Sequence, residues 1–134
     1  MYLALLNKEE KENFLGMAYN LAVVDGNYSD DEKALMEAYC QELKCTFDET
    51  TMVKPEDVLV DYIKKNSTDT VKRIFIFELI GLAMADGKYD ETERNMISRM
   101  IREYNIDDNY AKECEKMLDE YLILQRNLNN LVLR

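Results

Sequence analysis

The chain is expected to be an all-α, single-domain helical bundle of six to seven helices covering residues 1–134, and three observations predict this. Apolar residues recur at helical spacing in one segment after another. No segment alternates with period two for long enough to build a sheet. One phrase occurs twice: Leu21-Ala22-Val23-Val24-Asp25-Gly26-Asn27-Tyr28-Ser29-Asp30-Asp31-Glu32 returns 61 residues later as Leu82-Ala83-Met84-Ala85-Asp86-Gly87-Lys88-Tyr89-Asp90-Glu91-Thr92-Glu93. In each copy an apolar helix runs into Asp-Gly, turns, and yields to a helix with an acidic first turn. An internal pseudo-two-fold repeat is therefore expected, with units at residues 8–45 and 68–105.

The first helix should start after Asn7, because Asn7 and Glu10 have the spacing of a capping box. Phe14, Ala18, Leu21 and Ala22 then share one face. Gly26 marks the stop, since glycine takes the left-handed conformation after a helix without penalty. Ser29 and Glu32 repeat the capping-box spacing before a second helix, whose stripe is Leu35, Met36, Tyr39, Cys40 and Leu43. Residues 47–54 have no clean period and are expected to be loop. Pro55 suits the first turn of a third helix, with Glu56 and Asp57 at the positive pole of its dipole. That helix carries Val58, Leu59, Tyr62 and Ile63 and should end near Asn66.

Ser67 or Thr68 caps a fourth helix, apolar almost all round over residues 74–85, which marks the buried centre of a bundle. A fifth begins at Asp90 and carries Met96, Ile97, Met100, Ile101 and Tyr104. Asn105 terminates it, and Asp107 or Asp108 caps the next helix. The leucine-rich remainder reads as one or two helices with frayed ends, either folded back on the bundle or paired with a second copy in a homodimer.

Composition narrows the function. The net charge is −10, from 27 acids against 17 bases. Such a surface repels phosphate, and no basic stripe offsets it, so neither nucleic acid nor anionic lipid is an expected partner. No apolar run approaches the ~20 residues of a membrane span. Cys40, Cys45 and Cys114 are an odd set, and residues 1–6 lack a basic leader, which together predict free thiols and a cytoplasmic location. Without histidine the usual triads, zinc sites and neutral-pH acid–base pairs are missing or impoverished. No nucleophile–base set is recognisable, so a non-enzymatic protein is expected. The eight methionines suggest a deformable core or a groove for a partner helix, and core is the favoured use because most fall on apolar stripes.

The repeated elbows carry the chemistry. Glu32 and Glu93 are explained by capping boxes, worth ~0.5–2 kcal/mol. Asp25 and Asp86 are not. A carboxylate in the last turn of a helix faces the negative pole of the dipole, at a cost of about 0.3–1 kcal/mol. Each must meet backbone N–H groups of its own turn, or a cation. Gly26 to Glu32 and Gly87 to Glu93 keep the six-residue spacing of a calcium-binding EF-hand loop, but the earlier ligand positions fall on Leu21, Val23, Leu82 and Met84. A complete loop is absent, so acids of both elbows would have to pool around calcium or magnesium. Asp25, Ser29, Asp30, Glu32, Asp86, Asp90, Glu91 and Glu93 are the available oxygen donors.

Two copies of Leu-Ala-x-x-Asp-Gly-x-Tyr-x-x-x-Glu, each ahead of an amphipathic helix, resemble the tellurite-resistance TerB-like family, whose module also sits beside J-domains in membrane-linked co-chaperones. Ala85-Asp86-Gly87 with Glu93 carries the likeness best; the first copy has Val24 in place of the alanine, and the match extends over residues 10–125. The resemblance implies a bundle of about seven helices with an internal repeat and a divalent-metal cluster mapping to Asp25, Glu32, Asp86 and Glu93. It also implies a role in stress response through protein assemblies. No His-Pro-Asp signature accompanies it here. The expected function is thus a non-enzymatic binding or adaptor module of a bacterial, tellurite-resistance-like stress pathway, with a protein partner. Two other readings stand beside it: a purely structural or oligomerising helical protein whose acids only cap helices, and a hydrolase using the paired carboxylates with a divalent ion.

Overall fold

Local capping chemistry sets where the helices begin in a computed structural model of the chain, which describes residues 1–24, 26, 28–85, 87 and 89–134. Among these are a 3-10 turn, Leu3–Leu5, and seven α-helices: α1 Lys8–Val23, α2 Asp30–Leu43, α3 Glu49–Met52, α4 Glu56–Asn66, α5 Asp69–Ala83, α6 Glu91–Glu103 and α7 Tyr110–Val132. No strand occurs among the described residues, and none of these helices is long and apolar enough to cross a membrane. Asn7 closes α1 with a reciprocal box: its side chain accepts from Glu10 N–H, and the Glu10 carboxylate accepts from Asn7 N–H, both at 2.9 Å. Thr68, not Ser67, caps α5 by accepting from Val71 N–H at 3.2 Å. Ser67 instead donates to the Glu10 carboxylate at 2.7 Å, tying the start of α5 to the start of α1.

Three boundaries differ from the sequence expectation. Residues 47–54 are not all loop, because Asp48 accepts from Thr50 N–H at 3.0 Å and opens the one-turn α3. A close approach holds that turn against α1: a Cβ built on Gly16 would stand 2.2 Å from the Met52 carbonyl oxygen. Such an approach is invisible to periodicity. Pro55 caps α4 from outside and does not occupy its first turn. The last helix begins at Tyr110, while Asp107 serves the turn ahead of it by accepting from Asn109 N–H at 2.8 Å.

The core gathers around α5. Phe75 meets Phe14 edge-on at 5.4 Å between ring centroids, and Phe14 meets Tyr39 of α2 in the same way at 5.2 Å. Helices α1, α2, α6 and α7 and the 3-10 turn all pack on α5. Glu78 lies buried within this apolar helix and accepts from the Met1 amine at 2.8 Å and from Tyr2 N–H at 2.9 Å. A buried carboxylate without such donors would be strongly destabilising. The Tyr39 hydroxyl donates to the Glu78 carbonyl at 3.0 Å, fixing α2 to the same turn.

The contacts of α1 with α5 advance in one direction, from Glu10 beside Ser67 to Phe14 beside Phe75. The two helices therefore run the same way, and both repeated elbows lie toward one end of the bundle. Helix α7 is a single helix of 23 residues, with Cys114 and Leu118 buried; residues 119–134 are all exposed.

Two glycines should respond oppositely to alanine. Gly16→Ala forces the Met52 carbonyl away and is expected to lower stability by about 1–3 kcal/mol. Gly81→Ala would meet only Leu118, at an ordinary 3.8 Å, and should raise stability by about 0.4–1 kcal/mol. Urea unfolding of the two variants, with midpoint and slope fitted separately, checks both signs.

Candidate functional site

The described parts of the two elbows are built alike. Gly26 and Gly87 both sit at φ 77°, in the left-handed region, where an L side chain costs roughly 1–2 kcal/mol. Gly26 N–H donates to the Val23 carbonyl at 2.9 Å and Gly87 N–H to that of Met84 at 3.1 Å. Each elbow then closes a capping box. Glu32 N–H donates to Ser29 Oγ at 3.1 Å while Ser29 N–H donates to Glu32 Oε1 at 3.1 Å. Glu93 N–H donates to Asp90 Oδ1 at 2.9 Å while Asp90 N–H donates to Glu93 Oε1 at 3.2 Å. Both glutamates are only 2% exposed. Their capping role is thus present in full.

Asp25 and Asp86, the other two candidate ligands, lie outside the described residues. Among the described residues no group of three His, Cys, Asp or Glu side chains is arranged to hold a metal ion, and that set omits both aspartates. The elbows share an end of the molecule, and Asp31 of the first borders the same groove as Met84 and Ala85 of the second. Their tyrosines line separate clefts. Tyr28 borders one of about 490 Å³ with Cys40, Cys45 and Phe47, whereas Tyr89 borders one of about 810 Å³ beneath α7.

Each tyrosine carries a cation over its ring. Lys33 Nζ lies 5.4 Å from the Tyr28 centroid, and the Arg94 guanidinium lies 4.0 Å from that of Tyr89. Burial, then the neighbouring Tyr19 and Glu32, raises the Tyr28 hydroxyl above the usual phenol range. Burial and the Glu115 carboxylate push Tyr89 well above it. Both phenols are therefore protonated donors at neutral pH. Arg94 also donates to the Tyr89 carbonyl at 3.1 Å and pairs with Glu115 of α7 at 3.0 Å.

Sequence reasoning passed over Arg94, Glu115 and the cleft they line. One signal was available: a base follows the capping glutamate in both copies, Lys33 after Glu32 and Arg94 after Glu93. The α7 side of the cleft, with Asp119 and Arg126, has no local signature because it depends on where α7 lies. The cleft's lining includes two cationic side chains, Arg94 and Arg126, and two acids, Glu115 and Asp119. The three cysteines are free, and burial raises the thiols of Cys40 and Cys114, so both are poor nucleophiles.

Among the described residues, nothing lies within 4 Å of a Cβ built on either elbow glycine. Gly26→Ala and Gly87→Ala should therefore each cost only the backbone term, about 1–2 kcal/mol. Equal downward shifts in the urea midpoint are the expected result.

No family model matches the chain, and neither the curated proteins nor the solved structures contain a significant match to it.

Proposed function

We propose that the protein is a non-enzymatic helical binding module, a TerB-like adaptor in a bacterial stress pathway of the tellurite-resistance kind, working in the cytoplasm through a protein partner. In this reading the two elbows are copies of one unit. Their acids, Asp25, Glu32, Asp86 and Glu93, hold a divalent cation, calcium or magnesium, that stiffens one end of the bundle for docking. The observation that carries the reading is the like construction of the elbows: the same phrase, the same glycine φ of 77° and the same capping box, placed toward one end. The donor set is wholly carboxylate oxygen, the chemistry of hard cations and not of zinc or copper.

A second reading has its own support. The capping boxes already account for Glu32 and Glu93 without a ligand, so the acids serve only the helix ends and the protein acts as a structural helical element. A thermal melt separates the two. With calcium or magnesium at 100 times its dissociation constant, the binding reading expects about 2.7 kcal/mol of added stability, a rise in Tm of roughly 10 °C. Asp25→Asn with Asp86→Asn should abolish that rise. A melt that ignores both ions, together with a double variant more stable than the parent, would establish the capping-only reading.

A further inference from the structure

We propose that Cys40 and Cys45 form a reversible disulfide across the end of α2, a modification site that takes a peroxide as its oxidant. The inference is independent of whether the elbows hold a cation.

The end of α2 brings the two residues together. Cys45 N–H donates to the Cys40 carbonyl at 3.0 Å and Lys44 N–H to that of Gln41 at 3.2 Å, with Lys44 left-handed at φ 52°. This pair of bonds is a common helix stop, and the side chains at its two outer positions, here Cys40 and Cys45, often touch. One hydrogen bond joins the Cys40 carbonyl to the Cys45 amide, so the two Cα atoms stand at most about 6.9 Å apart. A disulfide closes only below ~7 Å. Both side chains border the cleft of about 490 Å³ beside Phe47, and both are half-buried, within reach of a small oxidant. Burial raises the Cys40 thiol, the Phe47 N–H partly offsets this, and the nearby Cys45 sulfur raises it further.

Helix α6 ends in the same way and shows what is particular about α2. Ile106 N–H donates to the Ile101 carbonyl at 3.0 Å and Asn105 N–H to that of Arg102 at 3.2 Å, with Asn105 at φ 56°. These positions follow those of α2 by 61 residues, the offset of the elbow phrase. There the outer pair is Ile101 and Ile106, both packed into or against the core, as such a stop usually requires. At the end of α2 both places hold thiols. Cysteine packs as a small apolar residue, but a pair at these two positions can also be joined. Cys114, 4% exposed on α7, takes no part.

The chemistry balances. Cys45 Sγ, which donates to the Thr46 carbonyl at 3.6 Å, attacks one oxygen of hydrogen peroxide. The O–O bond breaks, water leaves, and Cys45 becomes a sulfenic acid. Cys40 Sγ then attacks the Cys45 sulfur, the S–O bond breaks, and the departing hydroxide takes the Cys40 proton as water. Two thiols are oxidised and one peroxide is reduced, giving one disulfide and two waters. A small thiol restores both cysteines by exchange. While closed, the bond clamps Lys44 in a conformation that an L side chain otherwise adopts at a cost.

Treating the full chain with one equivalent of hydrogen peroxide tests this by thiol titration and mass spectrometry. Two of the three thiols should disappear, the mass of the single chain should fall by two hydrogens, and dithiothreitol should restore both thiols. Trypsin cuts after Lys44, so the crosslink holds together two peptides that reduction separates. Residues five apart also meet in an unfolded chain, so closure in a glutathione buffer is compared with and without urea. The native chain should close the bond at least about tenfold more readily, and the oxidised protein should be more stable by that factor, about 1.4 kcal/mol. Cys114→Ala should leave the crosslink unchanged, and Cys45→Ser should abolish it. A crosslink that involves Cys114 or a second chain overturns the proposal. So does a sulfinic acid formed in place of the disulfide, or a bond that closes no better in the native chain than in urea.

Discussion

A helix that is apolar on nearly every side has to be surrounded, and α5 is such a helix. Ile74, Phe75, Ile76, Leu79, Ile80, Leu82 and Ala83 are buried, and Phe77 and Gly81 are half-buried, so most of its apolar surface is withheld from water. Each large side chain so enclosed contributes about 1.5–3 kcal/mol, so the remaining elements are arranged by the need to cover it. Helices α1, α2, α6 and α7 pack on it, and the N-terminal turn covers a further part. Glu78 shows how strict the demand is. A carboxylate enclosed in this helix persists because the chain brings an amine and a backbone N–H to it.

Covering α5 with a helix that runs the same way has an electrostatic result. The C-terminal poles of α1 and α5, both negative, are directed toward one end of the bundle. Each is followed at once by the positive N-terminal pole of the next helix, where Ser29 with Glu32, and Asp90 with Glu93, satisfy the exposed N–H groups. Polar side chains are thereby concentrated at that end, and cations join them: Lys33 over one tyrosine and Arg94 over the other. The elbows are thus a consequence of how the core is wrapped as much as of their own sequence.

The starts of α1, α2, α5 and α6 were legible because capping is a local exchange between a side chain and an N–H three residues on. The end of α6 was legible too, since Asn105 takes φ 56° as an asparagine readily does. The end of α2 was not. Lys44 takes the left-handed conformation at φ 52°, a position where glycine is usual, and Cys45 N–H donates to the Cys40 carbonyl to close the turn. Helix α3 was hidden for a related reason, as its one turn is secured by contact with α1 and not by any period of its own. At the candidate site, Glu32 and Glu93 could be read from spacing, whereas the partnership of Arg94 with Glu115 joins helices whose relative placement no local pattern encodes.

The contact that hides α3 also makes the two halves unlike. Moving 61 residues along from Gly16, the offset of the elbow phrase, arrives at Phe77. Where the first half keeps a bare Cα so that the Met52 carbonyl can press in, the second carries a ring that meets Tyr2 at 5.6 Å. A chimera built from two first halves would offer the N-terminal turn no aromatic surface, and one built from two second halves would drive a phenyl group into a peptide carbonyl. The two halves are not interchangeable parts.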